Sequence, residues 1–298
     1  RQLGIKNIPM PSRIKPHISF YDKSFVENKT DDYYMSLQLG KYSLSFTVFN
    51  PELKKFIVFD SFTYSEIKLN EEVIPIFNFV LENKNWLNGH FQKVLLQIDH
   101  QLSTLVPPPL FIEDKVENYL HANHILEDTQ HISFNLLKNA HVVDVFKIPQ
   151  PIFSIAKQVW PNVQFLHCSS VIIESISINF KNKIDIHTLF LNVRDEGFDL
   201  VYFKNKKLHF YNLFKYNTKE DFMYFLLSAL EELQMNPEEV ELILSGNIDK
   251  SHILYDMIYR YVRNVKFIER NENYRYSYLF DGLMGHKQYT LFNALQCE

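Results

Sequence analysis

The chain has 298 residues, and its content of 46% hydrophobic and 22% charged residues is typical of a globular protein and excludes disorder over most of the length. The formal net charge of -4 at pH 7 gives no support to a nucleic-acid or anionic-membrane partner for the chain as a whole. Cys168 and Cys297 show no CxxC or zinc-binding spacing, so we expect reduced thiols in a cytoplasmic protein. No apolar run approaches the roughly 20 residues that a membrane-spanning helix needs.

Residues 1–30 are expected to form an extended arm or a short edge strand, because their prolines interrupt any periodic pattern. The next segment, Ser36–Phe62, has the pattern of three strands joined by tight turns. Its middle strand, Tyr42–Phe49, alternates strictly between apolar and polar residues. This alternation predicts a strand with one buried face.

The three-strand pattern of Ser36–Phe62 returns in Leu189–Phe214, and each copy is followed by an amphipathic helix. Further strands and helices complete duplicated βββαβαβ units, and internal duplication identifies an architecture before any single residue does. The chain therefore resembles the two-lobed fold of actin, Hsp70 and sugar kinases. The predicted fold class is α/β, with two actin-like (ribonuclease H-like) lobes and an insertion in the first.

The first lobe is assigned to residues 31–182. Asn70–Trp86 carries apolar residues at helical spacing, and Lys93–Ile98 is a continuous apolar run typical of a buried central strand. The lobe is predicted to end with a helix, a strand and a second helix, at Ile152–Val159, Gln164–His167 and Ser170–Phe180.

The insertion, at about residues 103–148, has no counterpart in the second half of the chain. Its predicted parts are a proline-stiffened loop, a helix and a strand hairpin, at Ser103–Phe111, Ile112–Asn123 and Ile132–Ile148. Insertions are where proteins of one fold differ, so we expect this one to carry a partner surface.

The second lobe is assigned to residues 183–298. Thr218 with Asp221 three residues later is an N-terminal capping pattern, and an apolar stripe at helical spacing follows it to Leu233. The remaining predicted elements are a buried strand, a helix and a strand, at Val240–Leu244, Asp249–Val262 and Val265–Ile268.

Three segments carry a closer resemblance: LQLGKYSLSFTVFN at 37–50, STLVPPPLF at 103–111 and EELQMNPEEVELILSGNI at 231–248. Through them the chain is identified as a member of the actin-like ATPase superfamily. Within it, the chain resembles an uncharacterised family found mainly in Bacteroides-type bacteria, domain of unknown function 3822. The last segment is also similar to pilus-assembly and secretion proteins such as PilM and the cytoplasmic domain of GspL.

In active members of the superfamily, the turn after the first strand reads Asp-x-Gly, and its aspartate orients hydrated magnesium. The matching residues are Gln38-Leu39-Gly40, and Lys41 follows them. The glycine is retained, but an amide replaces the carboxylate. Because magnesium prefers carboxylate charge or a water network anchored by it, Gln38 is a poor substitute.

The second-lobe loop of active members reads Asp-x-Gly-x-Gly-Thr, and its glycines let backbone N–H groups approach the phosphates. The matching loop, Asn192–Asp199, contains Arg194 and a single glycine, Gly197. Asp195 and Glu196 lie where a phosphate should sit. Two carboxylates beside a triphosphate are electrostatically unfavourable unless a metal intervenes.

The third loop normally shows Gly-Gly beside the adenosine, and it reads Ser245-Gly246-Asn247 in this chain. Asp99, at the end of a central strand, is the one carboxylate that could anchor magnesium or activate water. A strand-end aspartate is more often a turn former, so no catalytic residue and no metal ligand is assigned. The candidate nucleotide-cleft residues are Gln38, Gly40, Lys41, Arg194, Asp195, Gly197, Ser245 and Gly246.

These loops predict a degenerate, non-catalytic ATPase that acts as a scaffold for a protein or peptide partner, with no cofactor. Exposed strand edges and a groove between lobes suit docking by strand addition or by a helix in the groove. The alternative is a divergent ATPase or kinase that binds ATP and magnesium. The sequence does not predict the oligomeric state.

Three other patterns have simpler explanations. The segment 121–131 (HANHILEDTQH) contains histidines three apart, as metal sites do, but a solvated helix end is favoured. Cys168 follows His167, but neighbours in a strand point to opposite faces, so no nucleophile pair results. Tyr259–Tyr278 interleaves arginines and tyrosines, as single-stranded nucleic-acid binders do, but ordinary solvated charges are favoured.

Overall fold

The structure, a computed structural model, describes residues 14–67, 72–100, 102–121, 130–183 and 187–297. In these ranges the chain forms two large mixed β-sheets with helices packed on them, and a small sheet in the insertion. In chain order the strands are β1 (Lys15–Tyr21), β2 (Tyr34–Leu39), β3 (Ser43–Asn50), β4 (Lys55–Thr63), β5 (Lys93–Ile98), β6 (Ser103–Val106), β7 (Gln130–Leu137), β8 (Val142–Pro149), β9 (Val163–His167), β10 (Thr188–Val193), β11 (Phe198–Lys204), β12 (Lys207–Phe214), β13 (Glu241–Gly246), β14 (Asn264–Phe267) and β15 (Arg275–Tyr276). The α-helices are α1 (Val73–Asn83), α2 (Val116–His121), α3 (Gln150–Val159), α4 (Cys168–Asn179), α5 (Lys219–Glu232), α6 (Ile253–Tyr261) and α7 (Tyr289–Asn293).

The first-lobe sheet has the order β1-β4-β3-β2-β5-β9, and β15 also pairs with β4. Strands β2, β3 and β4 form the predicted antiparallel meander, while β5 and β9 run parallel to β2. Helices α1 and α3 cover one face, where Leu44, Phe46 and Val48 lie in the core. The first repeat of the predicted fold is therefore present.

Both faces of β3 are buried, although its alternation predicted one buried face. The C-terminal part of the chain covers the polar face, and the hydroxyls there are satisfied locally. Thr47 Oγ1 donates to Val58 O at 2.7 Å, and the hydroxyls of Ser45 and Ser61 share a hydrogen bond of 2.8 Å. The prediction of one exposed face was wrong, because an alternating pattern cannot show that a distant segment packs over the polar face.

The expected short edge strand is present as β1, which pairs antiparallel with β4. Ser19 Oγ and Tyr21 OH donate to Asp60 Oδ2 of β4 at 3.0 and 2.9 Å. These bonds attach β1 to the first-lobe sheet. Residues 1–13 of the expected arm lie outside the described residues.

The insertion forms a sheet of order β6-β8-β7, and the hairpin β7–β8 confirms the strand pair predicted at Ile132–Ile148. The predicted loop at Ser103–Phe111 was wrong for its first 4 residues, which form β6 and pair with β8. Loop structure begins only at Pro107, because proline removes a backbone donor from the ladder. The predicted helix starts as a 3₁₀ turn at Glu113–Lys115 and continues as α2, and residues 122–129 lie outside the described ranges.

The second-lobe sheet has the order β12-β11-β10-β13-β14, and it repeats the meander followed by parallel strands. Helix α5 begins with the predicted capping box, in which Thr218 Oγ1 accepts from Asp221 N at 3.1 Å. Helix α6 begins at Ile253 and not at the predicted Asp249. The reason is that the Asp249 side chain closes a turn onto the backbone two residues later, and His252 caps the helix.

The C-terminal part of the chain crosses back to the first lobe. Strand β15 pairs with β4, and α7 packs under β2 and β3 with Phe292 against Phe56 and Phe59. Helix α4 runs between the lobes, and its isoleucines pack on the second-lobe sheet. The segment 183–298, which the sequence assigned to the second lobe, is therefore divided between the two lobes.

Candidate functional site

The loops proposed for nucleotide binding meet where the two large sheets face each other. Gln38 lies at the end of β2, Asp99 follows β5, and Arg194 follows β10. Because parallel strands end at the same edge of a sheet, each sheet brings its loops together at that edge. The cavities at this junction are lined by candidate residues that include Gln38, Gly40, Lys41, Arg194, Asp195 and Gly197.

Arg194 occupies the centre of this cleft. Its Nε and Nη2 each donate to a carboxylate oxygen of Asp199 at 2.7 Å, and its Nη1 donates to Asp99 Oδ1 at 3.2 Å and to His100 O at 3.1 Å. Bidentate arginine–carboxylate pairs are among the strong hydrogen-bonded pairs in proteins. Arg194 is 5% exposed and Asp199 is 0% exposed. The guanidinium therefore forms a buried ion pair with Asp199 inside the second lobe, and its bonds to Asp99 and to His100 O link that lobe to the first.

Asp199 is held by further donors inside the second lobe. Asn192 Nδ2 donates to Asp199 Oδ2 at 2.8 Å, and Tyr211 OH donates to Asp199 Oδ1 at 2.9 Å. Burial, together with the Asp199 charge, raises the pKa of Tyr211 well above its ordinary value, so its hydroxyl stays a donor. Asn192 Oδ1 in turn accepts from Ser245 Oγ at 3.0 Å. Residues of the second and third loops thus supply hydrogen-bond partners for each other.

Three more contacts lie at the rim of the cleft. Lys41 Nζ forms an ion pair with Glu196 of the second lobe and another with Glu66 at 3.2 Å. Asn247 Nδ2 donates to Asp195 Oδ1 at 2.7 Å. The side chains of Lys41 and Glu196 are 27% and 37% exposed, so water screens this pair more than the buried pair.

The space between these side chains is too small for a phosphate group. The cavity bounded by Lys41, Asp99, Arg194 and Glu196 has a volume of about 10 Å³. A single water molecule needs about 10–15 Å³. In this arrangement a phosphate could enter this particular space only if the lobes separated and Arg194 left Asp99.

Two of the retained glycines are required by the packing of the cleft itself. A Cβ at Gly197 would lie 2.5 Å from Phe214 O, a backbone atom of the neighbouring strand. Gly246 has φ +82°, and a Cβ there would lie 2.0 Å from Val193 O. A left-handed backbone with such a close approach favours glycine strongly. These glycines therefore have a structural reason that needs no phosphate.

Gln38, at the magnesium-anchor position of active members, contacts the C-terminal helix. Thr290 Oγ1 of α7 donates to Gln38 Oε1 at 3.1 Å. Gln97, the register partner of Gln38 on β5, donates from Nε2 to Thr290 O at 3.3 Å. Two neighbouring glutamines thus fix α7 on the first-lobe sheet.

A larger cavity of about 370 Å³ adjoins the ion pairs at the mouth of the cleft. Its walls include hydroxyls of β3 and β4, the carboxylates of Asp99 and Asp195, and residues 282–284, 287 and 288. Burial, with the nearby Asp99 charge, raises the pKa of Asp195 to about 6, and burial also raises the pKa of Asp99. Asp195 is still mostly ionised at pH 7, so this cavity disfavours the negative charge of a triphosphate.

A buried cluster behind the cleft resembles a catalytic triad in composition only. Ser169 lies between His167 and Asp144, whereas a triad needs the histidine in the middle. His167 Nε2 donates to His100 O at 2.9 Å, and burial, with His167 nearby, lowers the pKa of His100 to about 3. Cys168 begins α4, and burial raises the pKa of its thiol. Cys168 was expected to continue the strand of His167, but it begins a helix as a buried thiol.

Most of the metal-like segment lies outside the described residues, and the nucleic-acid-like segment is divided between the two lobes. Residues 122–129 lie outside the described residues, and the His131 ring stacks on Phe153 with centroids 3.9 Å apart. In the part of the chain that the structure describes, no three His, Cys, Asp or Glu residues are placed to hold a metal ion. The segment Tyr259–Tyr278 is divided, since Tyr276 packs into the first-lobe aromatic cluster while α6 stays on the second lobe.

The sequence reasoning missed Asp199, Tyr211 and Thr290 as residues of the cleft. Asp199 had a local signal, because it is an isolated acid in the apolar strand FDLVYF, and a buried charge needs a partner. Tyr211 and Thr290 had no such signal. They reach the cleft only through the pairing of β11 with β12 and the return of the C-terminal segment.

Solved structures with a similar fold cover most of the chain. A Bacteroides thetaiotaomicron VPI-5482 protein with actin-like ATPase fold and unknown function has a TM-score of 0.70 at 23% identity, over 82% of this chain and 93% of that chain. A PilM-PilN type IV pilus biogenesis complex has a TM-score of 0.53 at 12% identity, over 89% of this chain and 97% of that chain. These likenesses confirm the predicted two-lobed, actin-like α/β fold.

The helices in the described ranges are each too short or too polar to cross a membrane. No curated protein matches the chain by sequence. A family described as protein of unknown function (DUF3822) has a model that matches residues 22–265, which is most of the chain. Helix α7, whose Thr290 contacts Gln38, lies beyond the matched residues. The family predicted from the loop sequences is confirmed, and the chain belongs to the DUF3822 family of proteins of unknown function.

Proposed function

We propose that this protein is a non-catalytic interaction scaffold in which the nucleotide cleft of the actin-like fold has become an internal lock between the lobes. The observation that carries the proposal is the position of Arg194. Its guanidinium lies between Asp199 and Asp99, and it belongs to the loop that matches the phosphate-binding loop of active members. An arginine so placed neutralises both carboxylates, as a bound cation would.

Three requirements of ATP hydrolysis lack a residue to meet them. Gln38, in place of the magnesium-orienting aspartate, is engaged with Thr290. Arg194 replaces a phosphate-loop glycine with a long side chain. Asp99, the one candidate to activate water, is engaged with Arg194 at 3.2 Å. Phosphoryl transfer depends on positioning and on a metal, so we infer that the protein does not turn over ATP.

A protein or peptide partner is the second part of the proposal. The similar PilM-PilN structure is a complex between two proteins of type IV pilus biogenesis, which supports partner docking by a chain of this fold. Cys168 and Cys297 are buried free thiols, which supports a reducing, cytoplasmic location. The insertion sheet β6-β8-β7 remains a candidate partner surface on the first lobe.

The direct test is calorimetric titration of the full chain with ATP and ADP, with and without magnesium. We expect no binding heat at millimolar nucleotide, because the phosphate position is filled. Thermal unfolding in the same solutions gives a second readout, since a ligand that binds only the folded state raises the midpoint. Magnesium-dependent binding at micromolar affinity would overturn the proposal and favour the ATPase or kinase alternative.

Arg194→Ala sharpens this test, because it removes the side chain that fills the phosphate position. If the variant stays folded and gains nucleotide affinity over the wild type, the guanidinium is the obstacle. If neither protein binds, the acidic cavity around Asp195 is sufficient to exclude the triphosphate. The control is Arg263→Ala, which removes an exposed arginine outside the cleft.

A further inference from the structure

The hairpin formed by β7 and β8 of the insertion lies across the boundary between the two lobes. At the base of the hairpin, Phe146 and Ile148 belong to the first-lobe core. Near its turn, Leu137, Ala140 and Val142 are buried in a different hydrophobic cluster. That cluster also contains residues of the second-lobe sheet, namely Phe190, Val201, Phe203 and Ile243. A rotation of one lobe against the other would therefore pull apart apolar surfaces at this hairpin.

The hairpin is attached to the first lobe by a side chain that imitates a strand backbone. Asn135 of β7 donates from Nδ2 to Phe165 O at 3.0 Å, and its Oδ1 accepts from His167 N at 3.2 Å. Phe165 and His167 belong to β9, the last strand of the first-lobe sheet. One amide thus engages a backbone acceptor and a backbone donor of alternate residues, as a further strand would. This part of the hairpin is therefore fixed to the first lobe.

A first buried carboxylate attaches the hairpin to α4, the helix that runs between the lobes. Asp144 of β8 is fully buried, and its Oδ2 accepts from Ser170 Oγ at 2.7 Å and from Ser169 Oγ. Both serines lie in the first turn of α4. The partial positive charge at a helix N-terminus also favours a carboxylate there. The N-terminal end of α4 is therefore bound to the insertion.

A second buried carboxylate acts in the opposite direction, from α4 to the turn of the hairpin. Glu174 Oε1 accepts from Asn139 N at 2.9 Å and from Asn139 Nδ2 at 2.7 Å, and Glu174 Oε2 accepts from Ala140 N at 3.2 Å. Glu174 itself is buried. The exposed residues of the turn are Lys138, Asn139 and His141. An exposed turn is thus held by a buried charge, through hydrogen bonds of the stronger, charge-assisted kind.

We propose that the insertion hairpin is a latch that fixes the angle between the lobes, and that the lobes separate when its exposed turn leaves Glu174. The turn and the lobes must move together, because Leu137 and Ala140 beside the turn are buried in the cluster shared with the second-lobe sheet. The movement needs no unfolding of either large sheet, since the hairpin belongs to a small sheet of its own with β6. This inference goes beyond the scaffold role, because it concerns a motion of the chain and not a partner.

Two native thiols can report the two steps of this motion. Cys297 lines a cavity beside the hairpin together with residues 133–138, so release of the turn should uncover it. Cys168 is buried at the start of α4, where the charges of Asp99 and Arg194 in the cleft act on its thiol. Separation of the lobes should therefore uncover Cys168. A hairpin that moves by itself would uncover Cys297 alone.

The test is the rate at which a thiol reagent modifies each cysteine in the full chain. Cys297→Ser leaves Cys168 as the only thiol, and Cys168→Ser leaves Cys297. Asn139→Asp is introduced into each of these proteins, where it places a second carboxylate against Glu174 and repels the turn. We expect both cysteines to react about tenfold faster, because the bonds of the turn to Glu174 are lost.

Asn236→Asp is the matched control, since it adds the same charge to an exposed position of the second lobe. Asn236 Oδ1 accepts from Glu238 N at 3.1 Å, and an aspartate keeps this acceptor. Both thiols should react in this control as fast as in the parent single-cysteine proteins. Glu174→Gln is the second variant, which keeps the side-chain volume but replaces one acceptor oxygen with an N–H₂ group. Both thiols should again react faster, because one N–H of the turn loses its acceptor.

An acceleration of only one of the two cysteines would overturn the latch, because the turn and the lobes would then not move together. Unchanged rates of both thiols would overturn it as well. Lobe movement is separated from unfolding by measuring the Cys168 rate of Asn139→Asp at several low urea concentrations. The dependence on urea should be shallower than that of global unfolding, because lobe separation exposes less surface. Equal dependence would show that Cys168 reacts only in the unfolded chain and would contradict the latch.

Nucleotide titration of the wild type keeps the two proposals apart. If ATP binds and Asn139→Asp still accelerates both thiols, the locked cleft is wrong and the latch stands. If ATP does not bind and Asn139→Asp leaves the Cys168 rate unchanged, the locked cleft stands and the latch is wrong.

Discussion

Arg194 and Asp99 lie on opposite lobes and form an ion pair, with Nη1 and Oδ1 3.2 Å apart. The same guanidinium holds Asp199 through two hydrogen bonds of 2.7 Å. Arginine is the residue suited to such buried pairs, because its planar fork matches a carboxylate and its charge persists at any physiological pH. The Arg194 side chain thus connects the two lobes at the junction of their loops.

Arg194→Ala should destabilise the protein by about 3 kcal/mol or more, because it leaves the fully buried Asp199 without its cation. The free energy of unfolding is measured by urea denaturation with intrinsic fluorescence. Arg263→Ala, at an exposed position, should change it by less than about 0.5 kcal/mol. A loss below about 1 kcal/mol for Arg194→Ala would mean that the buried Asp199 does not depend on this cation.

Asp195→Asn should stabilise the protein near neutral pH and lose that effect in acid. Burial and Asp99 raise the pKa of Asp195 from 3.8 to about 6, so the folded state binds more protons than the unfolded state between these values. Stability from this group is present at low pH and falls as pH rises through that window. The amide removes the titration and can still accept from Asn247.

The measurement for Asp195→Asn is the urea midpoint of variant and wild type at several pH values from about 4 to about 7.5. The difference should grow with pH up to about 6 and then level off. Asp256→Asn, on the exposed side of α6, controls for the chemical change. A constant or shrinking difference would show that Asp195 does not have a raised pKa.

Thr290→Val should cost about 1 kcal/mol of unfolding free energy, because Gln38 Oε1 loses the hydroxyl donor while the side-chain volume is kept. Thr290→Ser keeps the hydroxyl and should restore most of this loss. Denaturation of the two variants in parallel gives the comparison. If serine and valine are equally destabilising, packing and not the hydrogen bond holds α7 on the sheet.

Gly246→Ala should destabilise the protein by at least about 2 kcal/mol without any nucleotide present. The physical reason is the φ of +82° together with a Cβ that would lie 2.0 Å from Val193 O. Gly282→Ala is the matched control, because a Cβ there meets nothing within 4 Å. If the two variants are equally stable, the third loop is free to adapt and its glycine needs another explanation.

Local periodicity predicted the elements well because it depends on near neighbours along the chain. The meander Ser36–Phe62, its repeat Leu189–Phe214 and the capping box at Thr218 are all present in the structure. Errors arose where a distant segment changed the environment. The polar face of β3 is buried by α7, and Ser103–Val106 becomes a strand because β8 lies beside it.

The sequence by itself determined the two-lobed fold, the family and the positions of the cleft loops, because a repeated strand pattern dictates which strand ends meet. Only the tertiary structure decided which side chains those loops contact. Arg194 meets Asp99 across a separation of 95 residues, and Thr290 meets Gln38 across 252. Ion pairs and cavity volumes depend on distances between side chains that are remote in sequence, so no spacing rule could reveal that Arg194 contacts Asp99 and Asp199 at once.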